Sequence, residues 1–251
     1  MDINLITFLI VCPLVFLAGV IDSIAGGGGL ISLPAYLIAG IPPHYALGTN
    51  KLSSCIGTFA STARYIKNKS VNYRIGAVSV ILALAGSFLG ANLALMVSES
   101  VIKNLLLFVL PFTAFFVLKN KKADDNRAPL SDKLTFLIAC MASFVIAVYD
   151  GFYGPGTGTF LILCYTVFAR MDIKTASGNT KIVNLSSNLA AVVTFLLHGK
   201  VIFLLGLTAA IFSIAGHYIG SGLVLKKGYK IVKPVMLLVL ALLFLTILTE
   251  R

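Results

Sequence analysis

Residues 19–34 read Gly19-Val20-Ile21-Asp22-Ser23-Ile24-Ala25-Gly26-Gly27-Gly28-Gly29-Leu30-Ile31-Ser32-Leu33-Pro34. An acidic residue and four successive glycines stand between two apolar runs. Glycine adopts positive φ freely and lets backbones approach closely, so a helix arriving at Gly26 ends there and another starts after Gly29. A related stretch recurs. Asp150-Gly151-Phe152-Tyr153-Gly154-Pro155-Gly156-Thr157-Gly158 sets Asp150 on Asp22 at a shift of 128. Further on, Ala176-Ser177-Gly178-Asn179-Thr180-Lys181-Ile182 sets on Ala46-Leu47-Gly48-Thr49-Asn50-Lys51-Leu52 at a shift of 130. The same shift pairs Val71 with Val201, Gly86 with Gly216, and Gly90 with Gly220. The chain therefore reads as two transmembrane repeats, 1–120 and 133–251, joined by a hydrophilic cytoplasmic linker at 121–132.

Composition identifies the solvent around these repeats. Hydrophobic residues make up 58% of the 251 and charged residues only 12%, with a mean hydropathy of +0.97. About a quarter of a soluble domain is charged, so a soluble enzyme is excluded, as is a disordered chain. Ten apolar segments follow, at 3–24, 28–41, 45–66, 75–97, 101–118, 133–149, 157–169, 176–197, 201–225 and 234–249. The second and seventh each follow a glycine break and are short. Thirteen residues at about 1.5 Å each cover about 20 Å of a hydrocarbon core about 30 Å thick. The expected fold is an all-α polytopic integral membrane protein. It has about eight to ten helices in two inverted-topology repeats, with glycine-broken short helices 2 and 7. With Asp2 and no basic n-region ahead of it, the first run is expected to be a retained span.

Charge gives the orientation. If all ten segments cross, one side carries 15 basic residues, among them Arg64, Lys67, Lys69, Arg74, Arg170, Lys174 and Lys226. The other side carries 3, namely Lys103, Lys200 and Arg251. By the positive-inside rule both termini are extracytoplasmic. With segments 2 and 7 re-entrant the split is 11 to 7, so crossing and re-entry both stay open. Equivalent loops exchange their bias: basic 67–74 matches His198-Gly199-Lys200, and neutral 97–102 matches basic 226–233. An inverted repeat demands that exchange. The net charge of +11 is thus a set of lipid-facing cytoplasmic anchors. It is not a nucleic-acid surface, which needs a basic face with readers. Cys12, Cys55, Cys140 and Cys164 lie in apolar stretches without CxxC or Cys/His spacing, so no metal site and no cofactor are expected.

The candidate site lies where charge stands inside apolar sequence. Asp22 and Asp150 border the glycine breaks, and Lys51 and Lys181 are the basic residues within apolar segments. A charged residue at mid-membrane costs roughly 2.5–3.5 kcal/mol on insertion scales and usually marks function. Two readings stand for the lysines: a site, or stems that snorkel to the interface. Lys51, Ser54 and Thr58 share one helix face, as do Lys181, Asn184 and Asn188. Thr49, Asn50, Asn179 and Thr180 add polar groups at the same depth. These faces line a cavity or form interhelical hydrogen bonds. The breaks contribute the unpaired N–H groups of helix starts, which attract anions, around Gly26, Gly27, Gly28 and Gly29 and around Gly154, Gly156, Thr157 and Gly158. No Gly-Lys-Ser/Thr follows either run, so a phosphate loop is excluded. Gly86/Gly90 and Gly216/Gly220 read as close-packing pairs. His217, whose repeat partner is Ser87, reads as an interhelical hydrogen bond, with proton relay as the alternative. His44 and His198 carry no assignment.

The run from Gly19 to Pro34, followed by Ala46 to Leu52, resembles the TauE/SafE sulfite exporter family, also called the 4-toluene sulfonate uptake permease family. The second-half echo is similar to that family, and the resemblance covers essentially the whole chain. It implies a bacterial or archaeal inner-membrane transporter for small anions, typically sulfur oxyanions or organosulfonates; with no metal cluster, no Ser/His/Asp set at one depth and no second acid–base pair in the sequence, an enzyme is not expected. In the mechanism that follows, the anion binds between the halves, held by the glycine-break N–H groups, the amides and hydroxyls, and Lys51 or Lys181. Asp22 and Asp150 pair with the lysines when the site is empty or carry a coupling proton. The halves then alternate access. An uncoupled anion channel and a cation-coupled carrier using Asp22 and Asp150 are the alternatives, and a homodimer is open. The charge bias has a direct check: a reporter fused within 67–74 should be cytoplasmic, and an extracytoplasmic signal there would overturn the topology.

Overall fold

The protein is described here from a computed structural model covering residues 4–98 and 130–249. The expected fifth segment, 101–118, and nearly all of the linker lie outside the described residues. Within them the regular elements are helical. α1 is Leu5–Ala25, α2 Gly29–Ile38, α3 Pro43–Lys67 and α4 Tyr73–Met96. After the linker come α5 (Asp132–Phe152), α6 (Thr157–Leu163) with a π-helical turn at Cys164–Phe168, α7 (Ile173–Leu197), α8 (Phe203–Lys227) and α9 (Tyr229–Thr249).

The helix ends follow local chemistry. Asn4, Asn72, Ser131 and Asp172 each accept hydrogen bonds from first-turn N–H groups of α1, α4, α5 and α7. α1 stops where Gly26 takes a left-handed φ of 79° and returns its N–H to the Asp22 carbonyl. α1, α4, α5, α7 and α8 are long and apolar enough to cross a membrane. α3 is as long as α7, at 25 residues. Its run of buried Thr49, Asn50, Lys51, Ser53, Thr58, Ser61 and Thr62 makes it far less apolar. The seventh segment departs from a single short helix: it is seven α-helical residues running into a five-residue π turn.

The two halves interlock. α1 packs on α8, while its counterpart α5 packs on α4, the counterpart of α8. α3 packs on α8, α7 on α4, and α3 and α7 on each other. The small-residue pairs make this contact possible. A Cβ on Gly86 would lie 2.7 Å from the Phe144 carbonyl of α5, and one on Gly216 would overlap the Phe16 carbonyl of α1. α3 and α7 run antiparallel. Gly48 near the start of α3 abuts the Lys200 carbonyl just past α7, and Gly178 near the start of α7 abuts the Ser70 carbonyl just past α3. Equivalent helices running in opposite directions are what an inverted repeat requires.

The two breaks meet at the centre. The Gly158 N–H donates to the Gly26 carbonyl at 3.1 Å, and the Thr159 hydroxyl donates to the Ala25 carbonyl at 2.7 Å. A Cβ on either glycine would overlap the other's backbone. Gly26→Ala and Gly158→Ala should therefore each abolish recovery of monodisperse protein. Gly40→Ala offers the comparison, since Gly40 also has positive φ (81°) but nothing within 4 Å of a Cβ. It should cost only about 1–2 kcal/mol, read as a modest fall in melting temperature.

Candidate functional site

The glycine breaks place a carboxylate at each helix end beside the crossing. Asp22 lies in the last turn of α1, and Asp150 in the last turn of α5. Each meets the lysine of the other half. Lys51 Nζ on α3 is 2.9 Å from Asp150 Oδ1, and Lys181 Nζ on α7 is 2.7 Å from Asp22 Oδ2. Neither ammonium snorkels. The Lys51 side chain is 4% exposed and that of Lys181 is 0% exposed, with both heads turned inward to carboxylates.

The two pairs differ in their surroundings. Asp150 Oδ1 also accepts from the Thr157 hydroxyl at 2.8 Å, and Oδ2 accepts from the Ser187 hydroxyl. Asp22 Oδ1 accepts from the Gly28 N–H at 3.3 Å, while Lys181 also donates to the Asp22 carbonyl at 2.5 Å. The open side of Asp22 faces His217, whose Nε2 lies 3.7 Å from Oδ2.

A cavity of about 40 Å³ opens between the pairs. A water needs about 10–15 Å³ of such space, so it has room for a few waters or one small oxyanion. Of the residues expected at the site, Asp22, Gly26, Gly28, Gly29, Asn50, Lys51, Ser54, Asp150, Gly154, Thr157 and Asn184 line it. Asn188 and His217 line it too. The Oδ1 atoms of Asn50 and Asn184, one from each half, are buried without a hydrogen-bond partner. Buried polar atoms are normally paired, so these are two acceptors with unused capacity at the cavity wall, suited to a water or a protonated group.

The other expected residues lie outside that lining. Gly27 packs on Val239, and Gly158 on Gly26. Thr49 accepts from the Ile202 N–H at 3.0 Å, ahead of α8. Gly156 takes a positive φ of 84° to start α6. Asn179 donates back to the Thr175 carbonyl at 2.9 Å, Thr180 is fully buried, and Lys181 sits behind Asp22. The glycine-break N–H groups are also largely engaged: that of Gly28 meets the chain's own carboxylate, and that of Gly158 meets a carbonyl. Sequence reasoning missed Tyr153, Ser32 and Ser213 in the lining. Ser213 was within reach, being four residues before His217 and so on the same face of α8.

Removing one member of a buried ion pair strands the other charge, at about 3–5 kcal/mol. Lys51→Ala should lower stability on that scale in detergent, and adding Asp150→Ala should recover most of the loss. Adding Asp22→Ala instead should not. Rescue by the wrong partner would contradict the crosswise pairing.

Comparison with known proteins follows the same outline. The sulfite exporter TauE/SafE family matches residues 11–247. The chain is 38% identical to "Probable membrane transporter protein ORF9" of Sinorhizobium sp, over 94% of this chain and 89% of that protein. It is 35% identical to "Probable membrane transporter protein YfcA" of Escherichia coli strain K12, over 90% and 83% of the two chains. A "Probable membrane transporter protein" of Haemophilus influenzae is 33% identical over 95% and 93%. No solved structure matches.

Proposed function

The chain belongs to the sulfite exporter TauE/SafE family of membrane transporters, and from that premise we propose that it carries one small anion, a sulfur oxyanion or organosulfonate, by alternating access between its two inverted repeats. The observation that carries this reading is the crosswise pairing of Lys51 with Asp150 at a small polar cavity. Lys51 is held by an exchangeable anion, the chain's own carboxylate. An incoming oxyanion competes for the ammonium, and the donors on the cavity wall for its remaining oxygens are the side-chain Nδ2–H groups of Asn50 and Asn184. Asp150, displaced, keeps the Thr157 and Ser187 hydroxyls. Because Lys51 and Asp150 lie in different repeats, that exchange unfastens one half from the other, and relative movement of the halves turns on it.

The charge at the site is balanced: two lysines face two carboxylates. A monoanion added alone would leave a net negative charge in a poorly solvated place, which is costly. A proton entering with it removes that cost, so the transport is proton-coupled. A bare cation finds both carboxylates already held by ammonium groups, which argues against the cation-coupled alternative.

Ligands that bind only the folded state raise its melting temperature, by about 2.7 kcal/mol of stability at a hundredfold excess over Kd. Among chloride, phosphate, sulfate, sulfite, thiosulfate and sulfoacetate at fixed ionic strength, a sulfur oxyanion or sulfonate should raise the melting temperature. The double variant Lys51→Gln, Asp150→Asn, which leaves no charge stranded, should abolish the rise. A shift with sodium and none with any anion would overturn the reading.

A further inference from the structure

The two half-sites match in charge but not in wiring, and the mismatch locates the proton. Asp150 is held by the Lys51 ammonium and the Ser187 hydroxyl, and the Thr157 hydroxyl lies between its Oδ1, at 2.8 Å, and the Gly154 carbonyl, at 2.6 Å. Both oxygens of that carboxylate are engaged by side chains. Asp22 holds the Lys181 ammonium and one N–H, and presents its remaining side to His217.

His217 occupies a place made for it. The residue is 2% exposed and lines the cavity. Gly19 of α1 and Gly57 of α3 leave room for the ring edge, since a Cβ on them would lie 3.2 Å and 2.8 Å from its Cδ2. Nδ1 is 3.1 Å from the Ser61 oxygen. The Ser61 hydroxyl also lies 3.0 Å from the Thr58 carbonyl; with its one hydrogen on that carbonyl, its oxygen accepts from Nδ1–H. Nε2 is then left with its lone pair, and it looks across 3.7 Å at Asp22 Oδ2. Two acceptors face each other at more than hydrogen-bond distance. One proton between them turns that contact into a charge-assisted hydrogen bond.

Resting on the anion-transport reading, we propose that Asp22 and His217 share the proton that travels with the anion, while Asp150 stays ionised through the cycle. The proton enters from water in the cavity onto Nε2, bridges to Oδ2, and leaves by the same atoms when the cavity opens to the other side. The charged groups around His217 are Asp22 from α1, Lys181 from α7, Lys51 from α3 and Asp150 from α5. They sum to zero, and one added proton supplies the single positive charge that a monoanion needs. The second half-site lacks this device. In the place equivalent to His217 stands Ser87, whose hydroxyl is spent on the Ser187 carbonyl at 2.6 Å.

The test counts protons per anion in proteoliposomes. Protons are counted with radiolabelled methanesulfonate, a monoanion that does not titrate near neutrality; thiosulfate and sulfite serve as further probes of transport alone. The parent should move one proton with each methanesulfonate. Its uptake should rise as pH falls. His217→Gln should bring the proton count to zero and flatten that profile. If His217→Gln keeps the parent's proton count, the assignment to His217 is wrong. If the parent moves anions without protons, the shared proton is wrong and anion transport stands. If none of the probes moves, the proposed function falls and this inference with it.

A second measurement covers the case in which His217→Gln does not fold. In the His44→Gln, His198→Gln protein, labelled imidazole nitrogens report His217 alone. The expected spectrum is the Nδ1–H neutral form without a probe, and the doubly protonated form when methanesulfonate is added at mildly acidic pH. A ring that stays neutral under both conditions overturns the proposal.

Discussion

Four charges stand where lipid and protein offer them little water, and none of them can stand alone. That constraint organises the molecule. Asp22 and Asp150 lie beside the two breaks, and Lys51 and Lys181 lie on the two central helices. Each carboxylate could have been matched within its own repeat. Instead each is matched by the lysine of the other. Neither repeat is electrically complete by itself, so insertion of one half leaves charges whose partners arrive only with the second. The exchanged packing of α1 on α8 and α5 on α4 is the hydrophobic expression of the same dependence.

Glycine makes the pairing geometrically available. For Lys51 to reach Asp150 and Lys181 to reach Asp22, the two breaks have to cross with almost nothing between their backbones. Gly26 and Gly158 meet where any side chain would hold them apart. The hydrogen bonds of Gly158 and Thr159 to the end of α1 satisfy carbonyls that a terminated helix would otherwise leave bare in the membrane. The breaks thus close on each other rather than on solvent. Part of the N–H capacity that an isolated helix start would offer a ligand is spent there, while Gly26, Gly28, Gly29 and Gly154 still bring backbone to the cavity wall.

The repeat was legible because duplication preserves residue type at fixed spacing. Shifts of 128 and 130 exposed the Asp and Lys pairs, the glycine breaks and the small-residue contacts without any structure. The partner of each charge was not legible. Lys51 and Asp150 are brought together by the fold of both halves, and no local pattern encodes that. The same limit explains Thr49 and Lys181. Polar residues on one helix face look alike in sequence whether they meet a cavity, as Asn50 does, or a neighbouring backbone, as Thr49 does. The π turn after α6 was likewise invisible, since Cys164–Phe168 has the composition of an ordinary apolar helix.

The differences between the repeats carry as much information as their likeness, because they come in compensating sets. Where α8 carries the bulk of His217, the facing position on α3 is Gly57, whose missing Cβ leaves room for the ring edge and for the Ser213 side chain. At the equivalent places of the other half, α4 carries the smaller Ser87 and α7 carries Ser187. There the Ser187 hydroxyl reaches Asp150, and Ser87 bonds the Ser187 carbonyl. One half exchanged a hydroxyl on its carboxylate for an imidazole near it, and both helices changed to fit. Relaxed packing would change one position and leave a void. Paired changes of opposite volume, centred on a carboxylate, instead keep the density and alter only which groups reach the acid. The difference between Ser87 with Ser187 and His217 with Gly57 gives the two carboxylates different surroundings within one inverted frame.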